Sequence, residues 1–328
     1  MTQKTLAIAT LPHSRDGSSY YRIWLPFDHL KRQSLHAFYI YPEDMGQEVP
    51  DVTVLQRPAG TGGLQMLERL VGQTKLVYEV DDDMLNVESS GLPHLTDERT
   101  KESIRRCIRL CDMVTVSCEH LADIYRPYND NIVILPNHIK AGALDLIRTR
   151  RARPTIGWAG GTTHAWDMEE IRVPMRQVLE SHDVDMHFMG ADHAPILGRS
   201  LLPQCRWTNW DKDVGHYYKN VDFDIAVAPV ADNLFNRSKT WIRALEMAAL
   251  GIPIVASNRL PYSEFVIDGK TGFLVNGDAA WRSALELLIH DEDLREKMGA
   301  YAKEQAAGWT IEEGWPRWEA AYEKAAGG

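Results

Sequence analysis

Lys239, Arg243 and Glu246 are spaced four and three residues apart in a stretch that otherwise reads as apolar, Ser238 to Leu250. On a helix turning about 100° per residue they share one narrow stripe, opposite Trp241, Leu245, Ala248 and Ala249. With Ser238 as the N-cap, the start of that helix offers amide N–H groups, a positive dipole end and the Lys239 ammonium, a combination suited to an anion. Glu246, further along, suits hydroxyl groups. Phosphate at one end and sugar hydroxyls at the other describe a nucleotide, although an ordinary surface helix presents the same stripe. Two other places hold chemistry. Gly160–Gly161–Thr162–Thr163 combines two glycines with hydroxyls and suits a diphosphate or a sugar; His164 beside it either bonds a phosphate or caps a helix with Asp167. Asp81, Asp82 and Asp83 follow the apolar run Leu76 to Val80. Three adjacent carboxylates repel one another unless they are used. A Mg²⁺ site, a helix cap and a solvated loop are the open readings.

These groups need elements to position them. Gly251 and Pro253 close the 238–250 helix, and Ile252 to Ala256 then suits a buried parallel strand. Thr5 to Thr10 reads as a first strand, followed by a loop and a helix from about Tyr20 to Gln33. Gly17 in that loop lets backbone approach a ligand. A strand, a glycine-bearing loop and a helix open a Rossmann-like unit. The pattern recurs at Thr155 to Trp158 with the Gly160 loop. A helix opened by Met168 is then expected to be interrupted or kinked at Pro174, and a last helix to break at Pro316. Two Rossmann-like domains follow, 1–150 and 151–306, with a C-terminal helical segment 307–328. The basic run Arg148 to Arg153 falls at the expected linker.

The chain has 328 residues, enough for two domains, with 44% hydrophobic and 25% charged residues. Its 36 basic against 46 acidic residues leave a net charge of −10, which argues against nonspecific nucleic-acid binding. The apolar run near the N-terminus is too short for a signal peptide, and no stretch has the length of a membrane span. A cytoplasmic protein is expected, with no strong membrane signal. Cys107, Cys111, Cys118 and Cys205 read as reduced cysteines rather than zinc ligands.

LEMAALGIPIVAS followed by SEFVIDGKTGFLV resembles the donor segment of GT-B glycosyltransferases, nearest the retaining family 4 group, also described as glycosyl transferases group 1. The pattern there is Glu, seven residues, Glu, then a small-Gly-x-Pro strand and an Asp-Gly-x-Thr-Gly turn. Glu246 matches the second glutamate, which the resemblance makes the ribose ligand, and Glu264 matches the later one. Ser238 stands where the first glutamate is expected. The Arg and Lys that usually follow the second glycine loop are absent, which places the diphosphate on Lys239, with Arg237 and Arg243 as rivals. RDGSSYYRIWLPFDHLKR resembles the family's first loop, leaving Tyr21 and Arg22 either structural or facing the cleft. Asp82 takes the strand-end position usually held by a histidine that faces acceptor and donor sugar. Trp210 lies in the segment matching the base-binding region and either stacks on the base or is core.

The resemblance implies an α/β GT-B fold, two Rossmann-like domains facing each other across a cleft, with 1–150 the acceptor domain, 151–306 the nucleotide-sugar donor domain and the C-terminal helix 307–328 packing back on the N-terminal domain. It implies a metal-independent, retaining hexosyltransferase. Catalytic candidates are Asp82, Lys239 and His164; donor-binding candidates are Gly17, Gly160, Gly161, Thr162, Trp210, Lys239, Arg243, Glu246 and Glu264. No metal or cofactor is expected. The partners are a UDP- or GDP-linked sugar and an acceptor that is a glycan, a protein or a small molecule. A sugar-nucleotide epimerase of the same architecture and a non-catalytic nucleotide-sugar or glycan binding protein are the alternatives.

Overall fold

The computed structural model describes residues 4–87, 97–211 and 213–327. The chain divides into two compact units. Unit 1 comprises Met1–Lys140, Ser238–Thr240 and Thr310–Gly328; unit 2 comprises Ala141–Arg237 and Trp241–Trp309.

Unit 1 is built on strands β1 (Ala7–Leu11), β2 (Ala37–Tyr39), β3 (Val52–Gln56), β4 (Lys75–Val80), β5 (Met113–Val116) and β6 (Ile132–Ile134). They pair in parallel in the order β2-β1-β3-β4-β5-β6. The connecting helices are α1 (Gly17–Ser19), α2 (Leu25–Gln33), α3 (Gly60–Leu70), α4 (Glu98–Leu110) and α5 (Glu119–Tyr125), with a π-helical turn at Tyr20–Trp24. Near-continuous apolar strands such as LVYEV are those of a sheet covered on both faces, and Leu76, Val77, Tyr78 and Val80 are all buried.

Unit 2 repeats the plan with β7 (Thr155–Gly160), β8 (Asp185–Gly190), β9 (Cys205–Thr208), β10 (Ile225–Ala228), β11 (Ile254–Ser257) and β12 (Gly272–Val275). Their order is β12-β11-β10-β7-β8-β9, again parallel. Its helices are α6 (Ala165–Glu169), α7 (Arg172–Ser181), α8 (Val214–Asn220), α9 (Leu234–Arg237), α10 (Ile242–Ala249), α11 (Asp278–His290) and α12 (Glu292–Ala307). The last helix, α13 (Ile311–Ala326), belongs to unit 1 and packs on α2.

Several expected boundaries move. Against the break placed after residue 150, contacts divide after Lys140. The basic run explains this, because its arginines pair with carboxylates of unit 2. Arg148 meets Asp224 at 3.1 Å, Arg151 meets Asp222 at 2.5 Å and Arg153 meets Asp185 at 2.8 Å. Pro174 does not interrupt a helix. The break falls earlier, between α6 and α7, and Pro174 sits in the first turn of α7, where its missing N–H has no helical partner to lose. Pro316 does not break α13 either. It lies on the exposed face, and burial of Trp318, Ala321, Tyr322 and Ala325 on the other face outweighs one lost hydrogen bond. Gly314 allows α13 to approach His138, since a Cβ there would stand 2.0 Å from the imidazole.

Arg22 settles between its two readings. It is fully buried and forks onto Glu79, with Nε donating to Oε1 at 2.6 Å and Nη2 to Oε2 at 3.1 Å. Nη1 also donates to the Leu135 carbonyl and to Asn137 Oδ1 at 3.0 Å. The guanidinium lies 4.8 Å from the Trp318 ring centroid on α13. Thr115 Oγ1 donates to Glu79 at 2.6 Å. One charge pair thus joins the π-helical turn, β4, β5, the chain after β6 and α13.

Removing one side of such a pair strands the other charge in the core. Arg22→Met should lower unfolding free energy in urea by ~3–5 kcal/mol, and Glu79→Leu added to it should recover part of the loss. A loss under about 1 kcal/mol would contradict this role.

Candidate functional site

In unit 1 the candidate groups gather where β3 and β4 end. The three aspartates part ways. Asp83 is buried and caps its own loop, accepting the N–H groups of Leu85 and Asn86 at 3.0 and 3.1 Å. Asp81 accepts from Ser18 Oγ at 2.5 Å, beside Gly17 at the start of α1. Asp82 faces Arg57, 3.3 Å from Nη1, and its side chain is 28% exposed. Arg57 Nε lies 3.9 Å from Asp81, and Nη2 lies 3.9 Å from Asp16. Among the described residues, no group of three His, Cys, Asp or Glu side chains is arranged to hold a metal ion.

Arg57 is missing from the sequence expectations. Its only signal is a charged residue between the buried strand VTVLQ and Pro58. Its φ of +49° marks a backbone turned at that strand end. Burial pushes the Asp82 carboxyl up from 3.8 to about 6, and the Asp81 charge adds to the rise; Arg57 and then Lys239 hold it down.

Lys239 therefore sits near Asp82 in unit 1, and the expectation of a cation in the first turn of a Ser238-capped helix is corrected. α10 starts at Ile242, with Trp241 at its N-cap position. Ser238 is buried, and its carbonyl accepts from Cys118 Sγ at 3.4 Å. Thr240 Oγ1 accepts from Asn137 Nδ2 at 3.0 Å. Trp241 then stacks on Phe265 at 4.5 Å and meets Trp309 edge-on at 4.5 Å, which holds the residue before α10 in a non-helical turn. Gly251, at φ +67°, ends the helix as expected.

In unit 2, α10 carries Arg243 and Glu246 on one face. Arg243 Nη1 donates to Tyr262 Oη at 2.9 Å, and Nη2 lies 3.3 Å from His164 Nε2. The guanidinium lies 5.3 Å from the Trp158 ring centroid. His164 Nδ1 meets Asp167 Oδ2 at 2.6 Å. An arginine always donates, so Nε2 accepts and the imidazole proton sits on Nδ1 toward Asp167. Asp167 is thus the partner that the capping reading named, but the side chain bonds no backbone N–H of α6 and instead links Asp167 to Arg243. Gly160 is required here, since a Cβ would come within 2.6 Å of the Trp158 ring and 2.7 Å of Arg243 Nη2. At Gly161 the same atom would meet nothing within 4 Å, so the loop surface is open there.

Glu246, half-buried, lies 3.4 Å from Tyr217 Oη. Tyr217 and Tyr262 escaped the sequence reading, because both lie in segments that read as ordinary helix and loop. Thr162 is exposed in the turn that leads to His164. Glu264 is exposed and ends the turn begun by Tyr262. Trp210 is half-buried in the loop after β9, its backbone N–H donating to Asn209 Oδ1 at 2.8 Å. Arg237 is exposed and paired with Asp232 at 2.9 Å.

Each unit is thus a doubly covered parallel sheet, and the second carries a cation at its glycine loop and a carboxylate three residues further along one helix. Residues 193–305 match the family model described as Glycosyl transferases group 1. Over 83 residues the chain is 41% identical to the D-inositol 3-phosphate glycosyltransferase of Corynebacterium diphtheriae, covering 25% of this chain and 18% of that protein. Over 96 residues it is 38% identical to the protein of that name from Paenarthrobacter aurescens, covering 29% and 21%. The chain thus spans about a fifth of the length of the curated relatives it matches. Anabaena HepE, solved in complex with UDP-glucose, aligns with a TM-score of 0.69 at 12% identity, covering 98% of this chain and 100% of that one. Sucrose-phosphate synthase from Thermosynechococcus elongatus aligns with a TM-score of 0.64 at 14% identity, covering 89% and 81%. The two structural likenesses establish the fold as GT-B. No described helix is long and apolar enough to cross a membrane.

The Asp82 environment makes a pH statement with a definite sign. The folded value near 6 lies above the ordinary 3.8, so the folded chain holds more proton than the unfolded one between those values. Stability from this group is fully present below 3.8 and is lost as pH rises through about 6. Relative to wild type, Asp82→Asn should be more stable at about pH 7.5 than at about pH 4 by thermal melting. In carbon NMR, Lys239→Met should raise the Asp82 titration point and Asp81→Asn should lower it. The opposite shifts would remove Lys239 and Asp81 from the cluster.

Proposed function

We propose that the chain is a glycosyltransferase that takes a sugar from a nucleoside diphosphate sugar, with the donor held by unit 2. The observation that carries this is Arg243. α10 brings its guanidinium to the glycine loop after β7 and places Glu246 one turn further on. In this reading the guanidinium grips the diphosphate, the open backbone at Gly161 and the Thr162 hydroxyl lie along it, and Glu246 accepts from the ribose hydroxyls. As the bond from the anomeric carbon to the phosphate oxygen breaks, its electrons stay with the leaving phosphate, the acceptor oxygen bonds the anomeric carbon, and the acceptor's hydroxyl proton passes to the released phosphate. Arg243 balances the charge that grows there, without a divalent metal. His164, fixed by Asp167, positions Arg243 rather than exchanging protons. Asp82 is the unit 1 carboxylate proposed for a catalytic role, and Lys239 tempers its charge. Retention of the anomeric configuration belongs to the same proposal. The transferase reading is supported by the likeness of residues 193–305 to Glycosyl transferases group 1, by the likeness to D-inositol 3-phosphate glycosyltransferases, and by the fold shared with HepE, solved with UDP-glucose.

Incubation with a panel of UDP- and GDP-linked sugars tests the reading through release of free nucleotide with transfer or hydrolysis of the sugar. An epimerised donor, or binding of every donor without turnover, would contradict it. Arg243→Met should lower turnover by more than about tenfold and weaken UDP or GDP far more than the nucleoside, because charge on the leaving group grows in the transition state. Lys239→Met should cost less than Arg243→Met on both counts; the reverse order would return the diphosphate to Lys239. Glu246→Ala should weaken nucleotide binding by ~1–3 kcal/mol by calorimetry. Excess chelator should leave turnover unchanged, and full dependence on added Mg²⁺ or Mn²⁺ would overturn the metal-independent mechanism.

A further inference from the structure

Tyr262 Oη lies 2.9 Å from Arg243 Nη1. A guanidinium has donors only, so the phenol oxygen accepts here and its own hydrogen points elsewhere. Among the described residues no acceptor takes that hydrogen. Tyr262 is 3% exposed, and a buried O–H without an acceptor costs free energy that native interiors seldom leave standing. Tyr217, the other buried phenol in this region, donates its hydrogen to Glu246 Oε2 at 3.4 Å. The two tyrosines therefore differ. One faces a carboxylate and is satisfied; the other faces a cation and keeps its donor unused.

The unused hydroxyl is held in place. Tyr262 opens the turn 262–264 that follows β11, and its carbonyl accepts the N–H groups of Phe265 and Val266 at 3.1 and 2.9 Å. That turn and the Gly160 loop both follow the carboxyl ends of strands in one parallel sheet, where ligands of open α/β sheets bind. Arg243 ties the two together, with Nη1 on Tyr262 and Nη2 on His164. Burial raises the phenol above the ordinary tyrosine range, against the pull of Arg243, so the hydrogen stays on oxygen near neutral pH. Accepting from a guanidinium also polarises the phenol and makes its O–H a stronger donor. An anionic oxygen that reaches Arg243 meets both the positive charge and this hydrogen.

We propose that Tyr262 is a catalytic residue that donates a hydrogen bond to an oxygen of the donor diphosphate. This rests on the donor reading of Arg243. The phenol gives up no proton. As the bond from the anomeric carbon to the phosphate oxygen breaks, the electron pair stays on the phosphate, and the Tyr262 hydrogen bond strengthens toward that charge while the hydrogen remains on Oη. Arg243 and Tyr262 together form a preset pair of donors for a growing oxyanion.

Calorimetry of the full chain with UDP, GDP, uridine and guanosine, together with turnover of the donor sugar, tests it. Tyr262→Phe removes only the hydroxyl. It should weaken the nucleoside diphosphate about fivefold or more, leave the nucleoside within about twofold, and lower turnover about tenfold or more. In the Arg243→Met background the same change should still weaken the diphosphate about threefold or more, because the hydrogen bond is made to the ligand. No further loss in that background would overturn the proposal and leave Tyr262 a support for the Arg243 side chain. Unchanged diphosphate affinity in Tyr262→Phe, or a nucleoside weakened as much as the diphosphate, would overturn it and leave the donor reading standing. A wild type that binds neither UDP nor GDP would overturn the donor reading and this proposal with it.

Discussion

The buried pair of Arg22 and Glu79 is the constraint on which unit 1 depends. Two full charges with no exposure to water are costly to bury, and they are tolerated because almost every donor and acceptor has a partner. Those partners come from five separate parts of the chain: the turn before α2, β4, β5, the segment after β6, and α13. The pair therefore sets where each can sit. Asn137 carries the constraint one step further, since it accepts from Arg22 and donates to Thr240. Lys239 is held next to that link, and Asp82 lies three residues beyond Glu79. Burial and the neighbouring charges of Asp81, Arg57 and Lys239 then set the electrostatics of Asp82.

Asp167 has the matching part in unit 2. It is buried, yet one oxygen takes two N–H groups and the other holds His164. His164 in turn presents its lone pair to Arg243, and Tyr262 takes the other side of the guanidinium. A side chain as flexible as arginine loses much entropy on being fixed, and here the fixing is done on folding. A ligand meeting a preset guanidinium has less ordering left to do.

Much of the architecture could be read from the chain. Parallel, doubly covered strands announce themselves as apolar runs, and strand–glycine-loop–helix units recur at Gly17 and Gly160, although only at Gly160 would a Cβ collide with its neighbours. Glu246 and Arg243 were legible from helical spacing. Lys239 was misplaced by the same spacing, because periodicity cannot see that Trp241 stacks on Phe265 and that Thr240 is bonded to Asn137, so that the helix begins three residues late. Arg22 stood open between core and cleft, since nothing local distinguishes an arginine with a buried carboxylate 57 positions away from one facing solvent. Tyr217 and Tyr262 left no pattern, and Arg57 only a charge between a buried strand and Pro58. Each gains its meaning only from neighbours distant in sequence. Pro174 and Pro316 misled for a related reason: propensity counts a missing N–H, while position in the helix and burial of the opposite face decide its cost.

The central claim is that unit 2 holds a nucleoside diphosphate through Arg243 and the Gly160 loop. A crystal structure of the chain grown with UDP or GDP tests it most directly. The account predicts diphosphate oxygens in hydrogen-bond contact with the Arg243 guanidinium and lying over Gly161, with the ribose hydroxyls on Glu246. Density for the nucleotide away from α10, with the diphosphate on another cation and Arg243 still bonded only to Tyr262 and His164, would contradict it.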